Sequence, residues 1–224
     1  MDLIKFFVEL RYSQSHKLFR VYDELYSSLV GKEPSEKVPT VLPGFGLHVR
    51  ERKMRVLVDP ERSVVDLEYV PNPGYCLDTI VQSFRKINEL APLPSLARLG
   101  ARSYWIKPSS IDFEQLVSRY KEKLFRGSRF VEESVDIGVS FVFNDEDYKV
   151  NVTFGPMEMT QLRGMLFSKP DDLPSVLTFL DVDYSLKSEG LELSERELRD
   201  FTRRALDFAK RESEEVEALL VGGQ

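Results

Sequence analysis

The chain has 224 residues, 42% of them hydrophobic and 30% charged, which is enough apolar matter for a sizeable core and far too much for a disordered protein. No run approaches the roughly 18 apolar residues of a membrane span, and MDLIKFFVELRY is interrupted by Lys5 and Glu9, so neither an anchor nor a signal peptide is predicted and the expected location is the cytoplasm. One cysteine, Cys76, and two histidines, His16 and His48, exclude an intramolecular disulfide and all but exclude a structural zinc site; no cofactor is predicted.

Formal net charge is −6, and it is uneven: residues 1–94 hold 13 basic and 13 acidic side chains, leaving 18 basic against 24 acidic afterwards. An acidic chain is a poor candidate for general nucleic-acid binding, which depends on neutralising phosphates. Abundant Glu, Lys and Arg, with few Met, is a composition that suits a thermophile.

Ile4 to Tyr12, rich in aromatic and β-branched residues, predicts a first strand. Ser15 is placed to cap a helix with Leu18, Tyr22, Leu25 and Leu29 on one face and Gly31 at its end. The proline-rich, charged segment 32–43 reads as a surface connection. From Gly46 to Val70, two turns separate three alternating runs, an antiparallel meander, and a second helix then carries Leu77, Ile80, Val81, Phe84 and Ile87 on one face. Ser95 to Lys107, with the only tryptophan, repeats the part of the opening strand. A helix follows, capped by Ser110, with Phe113, Leu116, Val117, Tyr120 and Leu124 as its buried stripe before Gly127. VDIGVSFVFNDEDYKVNVTF is a hairpin around Asn144 to Asp147, and Leu162–Ser168 and Ser175–Leu186 predict two more strands around the turn Lys169-Pro170-Asp171-Asp172. A last helix starts at Ser194, whose hydroxyl with Glu197 makes a capping box.

The predicted class is therefore α+β, with two related units, 1–94 and 95–224, each β-α-β(3-4)-α, its antiparallel sheet covered by helices on one face. The order of elements resembles the TATA-binding-protein-like architecture, in which two repeats share one sheet; a helix-grip fold has a related order and would enclose an apolar ligand. Three patches, Glu9-Leu10-Arg11-Tyr12, Arg98-Leu99-Gly100-Ala101-Arg102 and Asp181-Val182-Asp183, are similar to the motifs of a sporadically distributed family of bacterial and archaeal proteins. Ser103 departs from that pattern by separating Arg102 from Tyr104. The resemblance implies a consistent fold and no particular reaction.

Arg98 and Arg102 flank Gly100 in an apolar strand, where two guanidiniums and an exposed backbone suit a phosphate or carboxylate; the bland alternative is a bulge at Gly100 with ion pairs to neighbours such as Glu9. Asp181 and Asp183 share a strand face, as a divalent-cation site or as partners for those arginines, and no metal is predicted because no further ligands can be placed. Arg50, Arg52, Lys53 and Arg55 cluster in one hairpin, a candidate nucleic-acid patch that also looks like a solvated hairpin tip. His48 has no Ser, Cys or Asp constellation to make it a general base, and no nucleophile elbow, phosphate loop or dinucleotide fingerprint occurs. The tail 211–220 keeps Val216, Leu219 and Leu220 at helical spacing, to pack on another subunit or to fold back. The reading is a soluble binding protein without a catalytic site, working through a protein partner or self-association. Nucleic-acid binding and a dispersed enzyme or small-ligand site are the alternatives.

Overall fold

Phe6, Val8, Leu10 and Tyr12 alternate with Lys5, Phe7, Glu9 and Arg11, so an extended chain places four large apolar side chains on one side and a charged row on the other. In the computed structural model this stretch is strand β1 (Asp2–Tyr12), and all four apolar side chains are buried, each stabilising by about 1.5–3 kcal/mol relative to exposure. The structure describes every residue except 16, 32, 41–43, 71, 126–128, 169–171 and 222–224. His16, the expected helix stop at Gly127 and most of the turn at Lys169 to Asp172 lie outside the described residues.

After a 3-10 turn (Leu18–Val21) come helix α1 (Tyr22–Val30), strands β2 (Ser35–Lys37), β3 (Phe45–Val49), β4 (Met54–Val58) and β5 (Arg62–Glu68), and helix α2 (Pro73–Leu90). The second half contains β6 (Leu96–Pro108), α3 (Phe113–Leu124), α4 (Arg129–Glu132), β7 (Val139–Asp145), β8 (Tyr148–Glu158), α5 (Met159–Met165), β9 (Val176–Leu191) and α6 (Glu195–Val221). All nine strands form one antiparallel sheet in the order β2-β3-β4-β5-β1-β6-β9-β8-β7. Its centre is the pair β1–β6, so the predicted opening strands of the two halves lie side by side. Outward from that pair the order is β5, β4, β3, β2 on one flank and β9, β8, β7 on the other.

Two expected caps are made: Gly31 takes a positive φ of 65° and its N–H bonds Ser27 O, and the Ser194–Glu197 capping box is closed, with the Ser194 N–H donating to Glu197 Oε2 at 2.8 Å. Four expectations change. Ser15 caps no helix: the 3-10 turn follows Lys17 and α1 follows Val21, neither with a side-chain cap bond. Asp112, not Ser110, caps α3, because its side chain accepts the Gln115 N–H at 2.8 Å. The connection after Gly31 contains β2, a three-residue edge strand paired to β3. Leu162–Ser168 is no strand: its first turn belongs to α5, an apolar run of that length being compatible with either element.

Helices α1, α2 and α6, with α3 over β8, cover the sheet side that carries Phe6, Val8, Leu10, Leu99 and Ala101. The tail folds back on this side: Val216 is buried and Lys107 Nζ bonds Glu217 at 2.5 Å. Helix α5 is on the other side, where Leu162 and Leu166 pack on Ile4, Tyr104, Ile106, Leu177 and Phe179. No helix among the described residues is long and apolar enough to cross a membrane.

Candidate functional site

The second face of the central strands is built from every other residue of β5, β1, β6 and β9, and register fixes which side chains stand in line. Arg62, Arg11 and Arg98 form one cross-strand row. The next row is Val64, Glu9, Gly100 and Ser185; then Asp66, Phe7, Arg102 and Asp183; then Glu68, Lys5, Tyr104 and Asp181. Arg55 and Leu57 of β4 extend the rows of Asp66 and Val64.

These side chains surround a cavity of about 370 Å³ open to solvent, bounded at one end by the residues that pack under α5. Its lining holds Lys5, Arg11, Arg55, Arg62, Arg98 and Arg102 against the carboxylates Glu9, Asp66 and Asp183. Leu57, Val64, Phe7 and Tyr104 supply apolar surface between the charges.

Gly100 sits in regular register opposite Glu9 and Ser185, so the bulge considered for it is absent; the register shifts fall at Leu3/Lys5, Arg11/Tyr12 and Leu96/Arg98. Its use is different. The Arg98 side chain lies across it, the guanidinium 3.7 Å from where a Cβ would be, and reaches Asp183 Oδ1 at 3.4 Å. Arg102 grips Asp181 with two bonds, Nε–Oδ1 at 2.8 Å and a terminal nitrogen to Oδ2 at 2.5 Å. Both arginines therefore turn toward β9, away from Glu9, which instead holds Arg11 at 2.6 Å and stands 3.7 Å from Arg62. Of the four residues named for this site, Arg98, Arg102 and Asp183 line the cavity and Asp181 anchors Arg102 beside it.

Burial sets the electrostatics. It pushes the Asp181 carboxyl above its usual range, an effect that Arg102 only partly offsets, while hydrogen bonding to Asp181 raises Arg102. Asp66, wholly enclosed, is likewise raised by desolvation despite Lys5 Nζ at 3.2 Å and Arg55 at 2.7 Å. Burial lifts the Tyr104 hydroxyl to about 12. Two buried atoms at the rim of the Asp66 row, Asp66 Oδ1 and Arg55 Nε, have no hydrogen-bond partner. Among the described residues, no group of three or more His, Cys, Asp and Glu could hold a metal ion.

The hairpin patch is divided by the same alternation. Arg55 faces the cavity, and its guanidinium lies 5.0 Å from the Phe167 ring. Arg50 and Arg52 turn to the acids before and within β2, Arg50 to Glu36 at 2.6 Å and Arg52 to Glu33. Lys53 takes a left-handed turn (φ 45°) with Nζ 4.1 Å from the Tyr69 ring centre. His48 Nδ1 meets Glu36 at 2.9 Å, and its ring packs edge-on against Phe167.

Lys5, Arg62 and Asp66 were not named as site residues from the sequence, and Arg11 entered only as part of the Glu9–Tyr12 patch. The available signal was the alternation of β1 and β5 itself, which looks the same for a solvated face as for a lined cavity. A second cavity of about 330 Å³ lies on the helix side, between the end of α2, residues 93–96 and the start of α6, lined by Leu10, Phe84, Leu96 and Leu198 with Arg85 and Asn88.

No family model matches this sequence, and no curated protein matches it. Among solved structures the chain is similar to the TBP of Methanococcus jannaschii, at 12% identity over 94% of this chain and 98% of that one, with a TM-score of 0.28.

Proposed function

We propose that the protein binds a small, multiply charged anion, of the size and chemistry of a phosphate ester, in the cavity on the open face of its central strands. The observation that carries this reading is the cross-strand row Arg62, Arg11, Arg98. Like charges directly opposite one another destabilise a sheet, and three guanidiniums in line have only Glu9, Asp59 and Asp183 to offset them among the described residues. Asp59 accepts the Glu61 and Arg62 N–H groups through Oδ1 and Arg62 Nε at 2.8 Å through Oδ2, Glu9 holds Arg11 at 2.6 Å, and the Asp183 contact to Arg98 is long, so each guanidinium of the row has one hydrogen-bonded acid for its five N–H groups. The row therefore retains N–H donors in the fork geometry that matches phosphate and carboxylate oxygens. Leu57, Val64 and Phe7 offer apolar surface for the body of an ester.

Inorganic phosphate, pyrophosphate and a mononucleotide, titrated into the protein at low salt by calorimetry and thermal shift, test the reading. A ligand at 100-fold its Kd stabilises by about 2.7 kcal/mol, a rise in Tm of roughly 5–10 °C for a chain of this length. Arg98→Ala and Arg11→Ala should each abolish most of that rise, and Lys210→Ala on the exposed side of α6 should not. No response to any of the three anions, or equal responses in all variants, would overturn it.

A further inference from the structure

The two edges of the sheet are unlike. Strand β2 is three residues, Ser-Glu-Lys, short and charged in the way that blunts an edge against other strands. Strand β7 is seven residues, VSFVFND, paired only to β8, and its one charged residue is the terminal Asp145. Phe141, Val142 and Phe143 are 48%, 62% and 42% exposed, so the edge is open, with two phenylalanines on one side and Val142 between Ser140 and Asn144 on the other. Phe141 stacks on Phe154, whose ring packs against Tyr120 of α3; the helical cover ends there, leaving Phe141 and Phe143 beyond it.

The geometry points to β7 as a self-pairing edge that joins two copies of this chain through an antiparallel β7–β7 contact about a twofold axis at Val142. The strand is complementary to itself in that register. Phe141 of each copy stands opposite Phe143 of the other, Ser140 opposite Asn144, and Val142 opposite itself. No like charges meet, because Asp145 falls across from Val139. The phenylalanines of both copies then form one aromatic strip continuous with Phe154 on the helix side. A charged peptide would find no matching charges along this strand, and a twofold pairing uses one patch for both partners. The result is a single sheet running through two subunits, with each anion cavity left open because it lies over the central strands.

Light scattering and sedimentation of the full chain, from micromolar to near-millimolar concentration, should show a species of twice the 25.9 kDa chain mass. Val142→Asp sets two carboxylates face to face on the axis and should raise the dimer Kd at least ten-fold, roughly the penalty of buried like-charge opposition, with an unchanged circular-dichroism spectrum. Directly opposed residues have Cα atoms about 4.5–5.5 Å apart, within disulfide reach, so Val142→Cys should cross-link under mild oxidation. Leu219→Cys, at a position 43% exposed on α6, should not. A monomer at every concentration would overturn the inference and assign the edge to a strand from a different chain. So would a dimer indifferent to Val142→Asp, or one that Val142→Cys fails to trap.

Discussion

Replacing Lys5 with methionine keeps most of the apolar stem of the side chain and removes the ammonium with its charge and N–H donors, so it isolates what that group does beneath the open face. Lys5 is 4% exposed, with Nζ 3.2 Å from Asp66, 3.4 Å from Glu68 and donating to Met165 O at 3.0 Å. Three rings, Phe7, Tyr104 and Phe167, approach it within 6.0 Å. Glu68 is the less exposed to the change: the Phe167 and Ser168 N–H groups and the Ser168 hydroxyl all donate to it, between 2.6 and 3.0 Å. Asp66 keeps only Arg55 and already has one unpartnered oxygen, so it becomes the uncompensated charge. Breaking a buried pair from one side costs about 3–5 kcal/mol, which lowers Tm by roughly 6–20 °C in a chain of this size. Burial holds the Asp66 pKa above its unfolded value, and removing Lys5 raises it further. A carboxyl raised on folding favours the native state at low pH and disfavours it as pH rises through the folded pKa, so the deficit of Lys5→Met should shrink on acidification. Lys5→Met/Asp66→Asn should recover much of the loss at neutral pH. Urea denaturation of the four proteins at pH 7 and pH 5 measures the cycle; a Lys5→Met loss below about 1 kcal/mol, or one independent of pH, would refute the premise that this cluster is desolvated.

Two further outcomes follow from the helix side and the sheet edge. Ser194→Ala removes the acceptor for the Glu197 N–H (3.2 Å) at the start of the 27-residue helix α6 and should cost about 1 kcal/mol by urea denaturation, with no change in anion binding. Gly46→Ala would drive a Cβ into the backbone carbonyl of Val38, which cannot yield without breaking the Val38 N–H to Gly46 O bond; a loss of about 1–3 kcal/mol and faster amide exchange in β2 and β3 are expected.

Much of the fold was legible because local signals agreed with each other. In β1 and in the β7–β8 hairpin, alternation, β-branched content and turn residues all point the same way, and the Ser194–Glu197 pair marks the start of α6 to the residue. The run Leu162 to Phe167 carries no such agreement. It is short and mixed, with Arg163 and Gly164 set among Leu162, Met165, Leu166 and Phe167, and its helical start is set by the Glu158 N–H bonding the Gln161 side chain, a cap built on a residue that rarely serves as one. Arg98 and Arg102 stood out because they interrupt an apolar strand, and the structure puts both at the cavity. Lys5, Arg11 and Arg62 did not, because each takes its turn in an alternation that predicts nothing more than a polar side. What the sequence lacked was adjacency: no residue of β1 announces that β6, ninety residues later, lies against it.

That adjacency is why charge collects where it does. A sheet covered by helices on one side needs polar residues on the other, and at a flank such residues reach water individually. In β1 and β6 those positions are flanked by charged neighbours on both sides, so they pair with one another, buried where α5 closes one end and reaching water beyond it, where Arg11 is half exposed. Under α5 the cluster is dry, with Lys5 and Arg55 facing Asp66 and Glu68, and Asp66 Oδ1 and Arg55 Nε left without a hydrogen-bond partner. Toward the Arg11 row each arginine has one hydrogen-bonded acid, Arg62 with Asp59 at 2.8 Å, Arg11 with Glu9 at 2.6 Å and Arg98 with Asp183 at 3.4 Å, and the guanidiniums are far more exposed than Lys5. One continuous face thus passes from a closed ionic core to an open row of guanidiniums.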